Sequence, residues 1–320
     1  MSDPHLHDRL FLLDGSSLAF RAFFALPESI STQAGQPTNA LFGLSQMLLK
    51  IVSEYRPSCI VCAWDAREKT FRDALYDQYK AQRPSMPDAL SAQWNLLPEL
   101  MEGFGIANLV KPGYEADDIL GTLAEEAKRQ GIGSIVVTGD RDAMQVVDDD
   151  IWVMSTGRGV TDVKIYTPAA VLERFGVTPA QIPDYIGLKG DTSDNIPGVP
   201  GIGEKTAARL LQEHGTLDAV LEAAGRISGK LGENLREHAD AARASRTVAT
   251  ISTDVPVDLD LTEVRFGGFD PARVAAAFRD LRFTSLLERV LALARTGSAE
   301  PAATGAQVDA TPGLGPGSPE

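Results

Sequence analysis

Short apolar runs alternate with longer stretches of helical periodicity along this chain. LFLL (10–13), CIVCAW (59–64) and SIVVTG (134–139) are apolar or β-branched runs that end at a turn residue or an acid, the pattern of buried strands. Between them, ALFGLSQMLLKIVSEY (40–55) carries apolar residues at helical spacing, and in 116–127 the residues Ile119, Leu120, Leu123 and Ala127 form one stripe. Strands alternating with helices predict an α/β fold, a mostly parallel sheet covered by helices on both faces.

The acids follow this pattern. Asp14 comes at the end of the first strand, Asp65 after the second and Asp140 after the third. All three lie at carboxyl ends, the edge where open α/β sheets bind ligands. GYEADDILG (113–121) adds Glu115, Asp117 and Asp118 at the head of a helix, where the dipole favours one or two carboxylates but not a crowd. TGDRD contributes Asp142 beside Asp140, and GDTSDN contributes Asp191 and Asp194. Any one pair alone reads as a solvated helix start or cap. Their convergence on one edge reads as a shared cation site, because two unit charges 5 Å apart repel by about 3 kcal/mol at an effective dielectric of 20.

Histidine and cysteine do not accompany these acids. His5, His7, His214 and His238 are scattered, which disfavours zinc, and ligation by oxygen alone points to Mg²⁺ or Mn²⁺. The acids suffice for two ions roughly 4 Å apart, one activating water and the other stabilising a leaving oxygen, which is the chemistry of phosphodiester hydrolysis. The net charge of −14 over 320 residues argues little against a polyanionic partner, since acids that hold cations leave the repulsive balance. Cys59 and Cys62 would point to opposite faces of their strand, so their spacing implies buried packing and not a metal or redox pair. The apolar run near the N-terminus is too short for a signal peptide and no later run approaches a membrane span, so the expected location is the cytoplasm.

Farther on, GVPGIGEKTAARLL has the pattern of a helix-hairpin-helix. Glycines allow close approach of a sugar-phosphate backbone, exposed N–H groups open the second helix, and Lys205 and Arg209 follow on it. The chain after about 225 is helical and alanine-rich, and LRFTSLLERVLALA is expected to pack back on the core. The expected division is 1–180 for the α/β core, 181–295 for a helical lobe with the hairpin and C-terminal helices, and 296–320 for a disordered tail.

DGSSLAFRAFFALP, AWDAREKTFRDALYDQYKAQRP, PGYEADDILGTLA, TGDRDAMQVV and LKGDTSDNIPGVPGIGEKTA together resemble, in order and spacing, the 5′-nuclease family. That family includes the 5′–3′ exonuclease domain of bacterial DNA polymerase I and the flap endonucleases, and the resemblance covers residues 9 to about 290. It implies a PIN-like core with a helical arch at about 70–95, here in a stand-alone protein. By the same resemblance, Asp14, Asp65, Glu115, Asp117, Asp140, Asp142 and Asp191 match metal-site acids, and Asp118 and Asp194 match acids that bind through water. Lys80 and Arg83 match cations that hold the scissile phosphate, which with Asp140 makes them the expected catalytic residues. Tyr79 is the aromatic expected to stack a displaced base and Arg72 a phosphate contact; composition alone would make this stretch a solvated helix. Lys189, Gly201, Gly203, Lys205 and Arg209 complete the expected DNA grip, with K⁺ implied at the hairpin carbonyls.

The resulting expectation is a monomeric, structure-specific 5′ nuclease acting on DNA with 5′ ends or flaps, including RNA-primed ends, in repair and Okazaki-fragment processing. It would sit near the nucleoid and act beside a polymerase and a ligase. The second strand ends AWD where the family more often has an aliphatic–aromatic pair. A PIN-like ribonuclease is the nearest rival, disfavoured by the hairpin, and a silent DNA-junction binder is a second.

Overall fold

The computed structural model describes residues 6–156, 162–266 and 268–295. The expected tail at 296–320 lies outside the described residues.

A six-stranded sheet forms the centre: β1 (Leu10–Asp14), β2 (Cys59–Trp64), β3 (Ala107–Val110), β4 (Ser134–Thr138), β5 (Ile151–Thr156) and β6 (Val163–Tyr166), in the spatial order β3-β2-β1-β4-β5-β6. All neighbours are parallel except β5 and β6. The three strands expected from the sequence are the central ones. β3 and β6, four residues each, carry weaker signals, and β5, as long as β2, is a further strand beyond the three expected. Strand order reverses between β1 and β4, so the crevice at their carboxyl ends is the topological switch point.

Fourteen helices complete the described residues: α1 (Gly15–Ala25), α2 (Asn39–Tyr55), α3 (Phe71–Leu75), α4 (Asp88–Trp94), α5 (Leu96–Gly103), α6 (Ala116–Arg129), α7 (Pro168–Phe175), α8 (Ile182–Lys189), α9 (Glu204–His214), α10 (Leu217–Ala223), α11 (Gly229–Glu237), α12 (Ala239–Ala249), α13 (Pro271–Asp280) and α14 (Thr284–Arg295). Strand alternation divides the core in two. Leu10, Leu12, Val61, Ala63 and Val136 face α6 and the helical lobe, while Phe11, Leu13, Ile60, Cys62, Trp64, Ile135 and Val137 face α1, α2 and α5. Cys59 and Cys62 accordingly pack on opposite faces.

The lobe packs α8 against α9 and α12 on the α6 side. Counted with this lobe by sequence, α13, α14 and the turn between them instead bury Phe278, Phe283, Leu286 and Val290 on the other face of the sheet, in the cluster that holds Leu41 and Phe104. Their apolar stripes fit the groove beside α2, so the chain returns to the core as expected but onto the far side.

The segment expected to be a helical arch contains only α3 and, after a run of turns and extended backbone, α4. Thr70 caps α3, and Asp73 returns a bond to the Thr70 amide. Gly113 O accepts from Phe71 N and Asp194 O accepts from Lys80 N, so the base of this segment is fastened to both the sheet edge and the helical lobe.

Candidate active site

Strand parity decides which acids meet. Asp14 and Asp65 extend the face that carries Leu12 and Ala63, the side covered by α6. Asp65 Oδ1 accepts from Ala116 N at 2.8 Å, directly joining the second strand end to the head of α6. Asp14 caps α1, with one oxygen accepting from Ser17 N at 2.9 Å and the other from Thr138 Oγ1 at 2.7 Å. Thr138 Oγ1 in turn accepts from Asp140 N at 3.0 Å, and Asp140 Oδ1 from Asp142 N at 2.9 Å. A hydrogen-bonded chain therefore runs from Asp14 across the switch point to Asp142.

Beyond Asp142, a cleft of about 610 Å³ is lined by Asp140, Asp142, Lys189, Asp191, Gly203 and Glu204. The 191–196 turn closes through paired backbone bonds between Asp191 and Ile196. Gly198 lets this turn fold onto the end of α8: a Cβ there would come within 2.2 Å of the Lys189 carbonyl carbon. Gly201 has φ 80°, a left-handed conformation that favours glycine. Gly203 precedes α9, and Lys205 and Arg209 are exposed on it, Arg209 pairing with Glu213 at 3.0 Å. Lys189 Nζ donates to Gly190 O and stands 3.9 Å from Asp191.

The charges divide into two groups. Burial pushes the Asp14 carboxyl up to about 7, with Asp65 and Asp140 adding repulsion against the lowering effect of its hydrogen bonds. Burial also raises Asp140, and raises Asp142 well above the carboxylate range, where Asp140, Asp194 and Asp191 reinforce it. Asp117 is likewise pushed well up by burial against the pull of Arg72, and its Oδ1 is buried without a hydrogen-bond partner. At Asp191 burial is outweighed by the Ser193 bonds and Lys189, which hold it low.

Cations occupy the other group. Lys80 Nζ donates to both oxygens of Glu115 at 2.8 and 2.9 Å, and Arg83 pairs with Asp194. Although burial opposes the charge on Lys80 and Arg83, the facing carboxylates raise both groups. Lys80 has φ 54°, an uncommon backbone for a lysine, fixed by its amide bond to Asp194 O at 2.9 Å.

Three expectations need correction. Arg72, expected to touch phosphate, is 2% exposed and forks onto Asp118 at 2.6 and 2.8 Å while donating to the Val248 and Thr250 carbonyls. Asp118, expected near a cation through water, is fully buried, and its two oxygens accept from Arg72, Ser252 N and Glu115 N, which saturates them. Tyr79, expected to stack a base, is buried with its hydroxyl 3.1 Å from both Glu115 and Asp194. In each case a polar group of the arch base or of the head of α6 serves the lobe junction because burial demands a partner there. Sequence reasoning missed Ser17 and Thr138, which hold Asp14; the only signal was a hydroxyl within three residues of an acid.

The donor set suits a hard divalent cation: every donor is oxygen, several wholly or partly buried carboxyls have raised proton affinity, and Asp117 Oδ1 lacks a partner. Among the described residues the acids do not close into a compact cage of three or more ligands. Lys80 and Arg83 stand among them instead.

Comparison with known proteins agrees with this geometry. Residues 9–176 match the family description "5'-3' exonuclease, N-terminal resolvase-like domain" and residues 177–272 match "5'-3' exonuclease, C-terminal SAM fold". DNA polymerase I of Bacillus caldotenax is 46% identical over 88% of this chain and 32% of its own length, and that of Mycobacterium tuberculosis 40% identical over 93% and 33%. The chain thus spans about a third of these relatives. Among solved structures, the T5 D15 protein co-crystallised with metal ions superposes with a TM-score of 0.61 at 18% identity, covering 89% of this chain and 99% of that one. The catalytic core of Rad2 in complex with DNA gives 0.59 at 16%, covering 89% and 93%. A mostly parallel sheet with its acids at the switch point, a SAM-type helical lobe facing them and matches spanning both units make this chain a member of the 5′–3′ exonuclease family.

Proposed function

We propose that this protein is a structure-specific 5′ nuclease that hydrolyses DNA phosphodiesters at or near a free 5′ end with two divalent ions, Mg²⁺ or Mn²⁺. The observation that carries the reading is the edge from Asp65 and Asp14 through Asp140 and Asp142 to Asp191, where the raised carboxyls of Asp140 and Asp142 face a cleft shared with the head of α9. Asp14, Asp65, Glu115, Asp117, Asp140, Asp142 and Asp191 would hold the ions, with Asp194 at the margin. Bound there, the ions supply Lewis acidity to the attacking and leaving oxygens.

The chain's own residues orient the substrate. Lys80 and Arg83 stand near enough to Asp140 to oppose the rise in its proton affinity, and exchanging their carboxylate partners for phosphate oxygens would bring positive charge to the scissile group. Gly201, Gly203, Lys205 and Arg209 offer amides and cations to the backbone of a duplex, without base readout, which makes the hairpin a ruler from duplex to cleavage point. K⁺ at the hairpin carbonyls would assist this grip. Lys189, beside Asp191, would meet the same strand.

This activity suits removal of 5′ flaps and RNA-primed ends in repair and Okazaki-fragment processing, by a monomer near the nucleoid that acts beside a polymerase and a ligase. Among the described residues no helix is long and apolar enough to cross a membrane. The test is a 5′-labelled double-flap DNA incubated with Mg²⁺, with EDTA and Asp140→Asn as controls. Cleavage near the junction, lost in both controls, supports the reading. Tight binding without products would make the protein a junction binder.

A further inference from the structure

Trp64 and Gly15 sit beside two of the proposed metal-site acids without being acids themselves. Gly15 directly follows Asp14 and Trp64 directly precedes Asp65. Their side of the sheet is the opposite one, facing α1 and α2. There the indole lies flat against the glycine: a Cβ at residue 15 would come within 2.6 to 2.7 Å of three atoms of the six-membered ring. Gly15 has no left-handed φ to explain it, so close approach is the physical reason for glycine at this position.

The ring has little room to retreat. Trp64 is 3% exposed, its Nε1–H donates to Asn108 Oδ1 at 2.7 Å, and its ring meets Trp94 edge-on at 6.1 Å. Asn108 is itself held, donating to Pro98 O at 3.0 Å. A second link crosses the same gap, since Asp65 N donates to Ser16 Oγ at 2.9 Å. The first turn of α1 and the end of β2 therefore lock in both directions, through Trp64 on Gly15 and through Ser16 on Asp65. Asp14 is the cap of that same turn. Displacing the turn displaces the Asp14 carboxyl relative to Asp65.

Resting on the metal reading above, we propose that Trp64 is a positioning residue: packed on Gly15 and tethered to Asn108, it sets the spacing of the Asp14 and Asp65 carboxylates at which divalent cations bind. The β1–β2 ladder fixes the backbone only as far as the Asp14 and Ala63 register pair, and the β2–β3 ladder ends at Trp64. Beyond it, Asp65 has left the ladder, and the indole supplies the constraint the ladder no longer gives.

The experiment measures Mn²⁺ binding to the DNA-free protein by electron paramagnetic resonance of the free ion, with melting temperature in EDTA followed in parallel. Wild type is compared with Gly15→Ala, Trp64→Leu, the double variant and Asn108→Ala. Gly15→Ala is expected to weaken Mn²⁺ binding by about 10-fold or more, the scale of losses when the supports of metal ligands are removed. In the double variant leucine can turn away from the new methyl group, and affinity should recover to within about 3-fold of Trp64→Leu alone, a coupling that independent sites would not show. Asn108→Ala, which leaves the packing intact, should weaken binding by about 2- to 5-fold with little change in melting temperature. Uptake of Mn²⁺ by Gly15→Ala and Asn108→Ala as tight as by wild type would overturn the positioning role and leave the metal reading standing. No uptake by wild type would bring down the metal reading itself, and this role with it.

Discussion

The two halves of the acid edge solve the same electrostatic problem differently. Glu115, Asp118 and Asp194 are matched by protein cations, Lys80, Arg72 and Arg83, in hydrogen-bonded pairs. Asp14 is buried and Asp117, Asp140 and Asp142 are half-buried, all with their proton affinities raised, and none of them makes a direct ion pair among the described residues. The first half is self-neutralised and ties the arch segment to the helical lobe. The second carries charge that no protein cation pairs, with Asp140 and Asp142 lining the cleft, an arrangement that burial makes unfavourable unless a proton or a cation joins it.

Breaking the paired half should cost the most stability. Arg72→Ala leaves Asp118 charged and fully buried, and urea unfolding is expected to show a loss of about 3–5 kcal/mol. A loss below about 1 kcal/mol would mean that the pair is no structural node.

Relieving the unpaired half should do the reverse. In EDTA at pH 8, Asp14→Asn is expected to raise stability by about 1–3 kcal/mol, part of the roughly 4 kcal/mol that a shift from 3.8 to about 7 represents, while abolishing cleavage. A variant that is both less stable and inactive would place Asp14 with the paired group.

The same contrast has a pH signature. The folded-state affinity of Asp14 for protons lies above its unfolded value, so its stability contribution is complete below about 4 and is lost as pH rises through about 7; Asp140 and Asp142 have the same sign. Metal-free protein should therefore melt at a higher temperature at pH 5.5 than at pH 8. Mn²⁺ should raise the melting temperature more at pH 8, where it does not compete with protons. Equal melting temperatures in EDTA would remove the basis for distinguishing the halves.

The smallest effect belongs to the hairpin, far from either half. Lys205→Ala should weaken duplex binding uniformly across sequences and lower the salt slope by about 1, measured by fluorescence anisotropy. A change that depended on base sequence would contradict a backbone grip.

The acid positions were legible because their chemistry and location coincide with the punctuation of secondary structure: an apolar strand stops, and the next residues are Asp14, Asp65 or Asp140. The hairpin was legible through its glycines. The partners of Arg72 were not, since Asp118 lies 46 residues away and the carbonyls of Val248 and Thr250 are farther still, reached only when the lobe closes on α6. Nor did composition distinguish Lys80 in a left-handed turn from a lysine on a solvated helix.

By itself, the sequence determined the three central strands, their parallel arrangement and the edge to which the acids belong, because strand length, alternation and the terminating residue are local quantities. Only the tertiary structure decided which acids are neutralised and which are left to face the cleft, because charge pairing depends on groups brought together across the lobe junction. It also decided that a glycine and a tryptophan on the opposite face of the sheet support the first two acids, since close packing between chain segments leaves no periodic trace in either one.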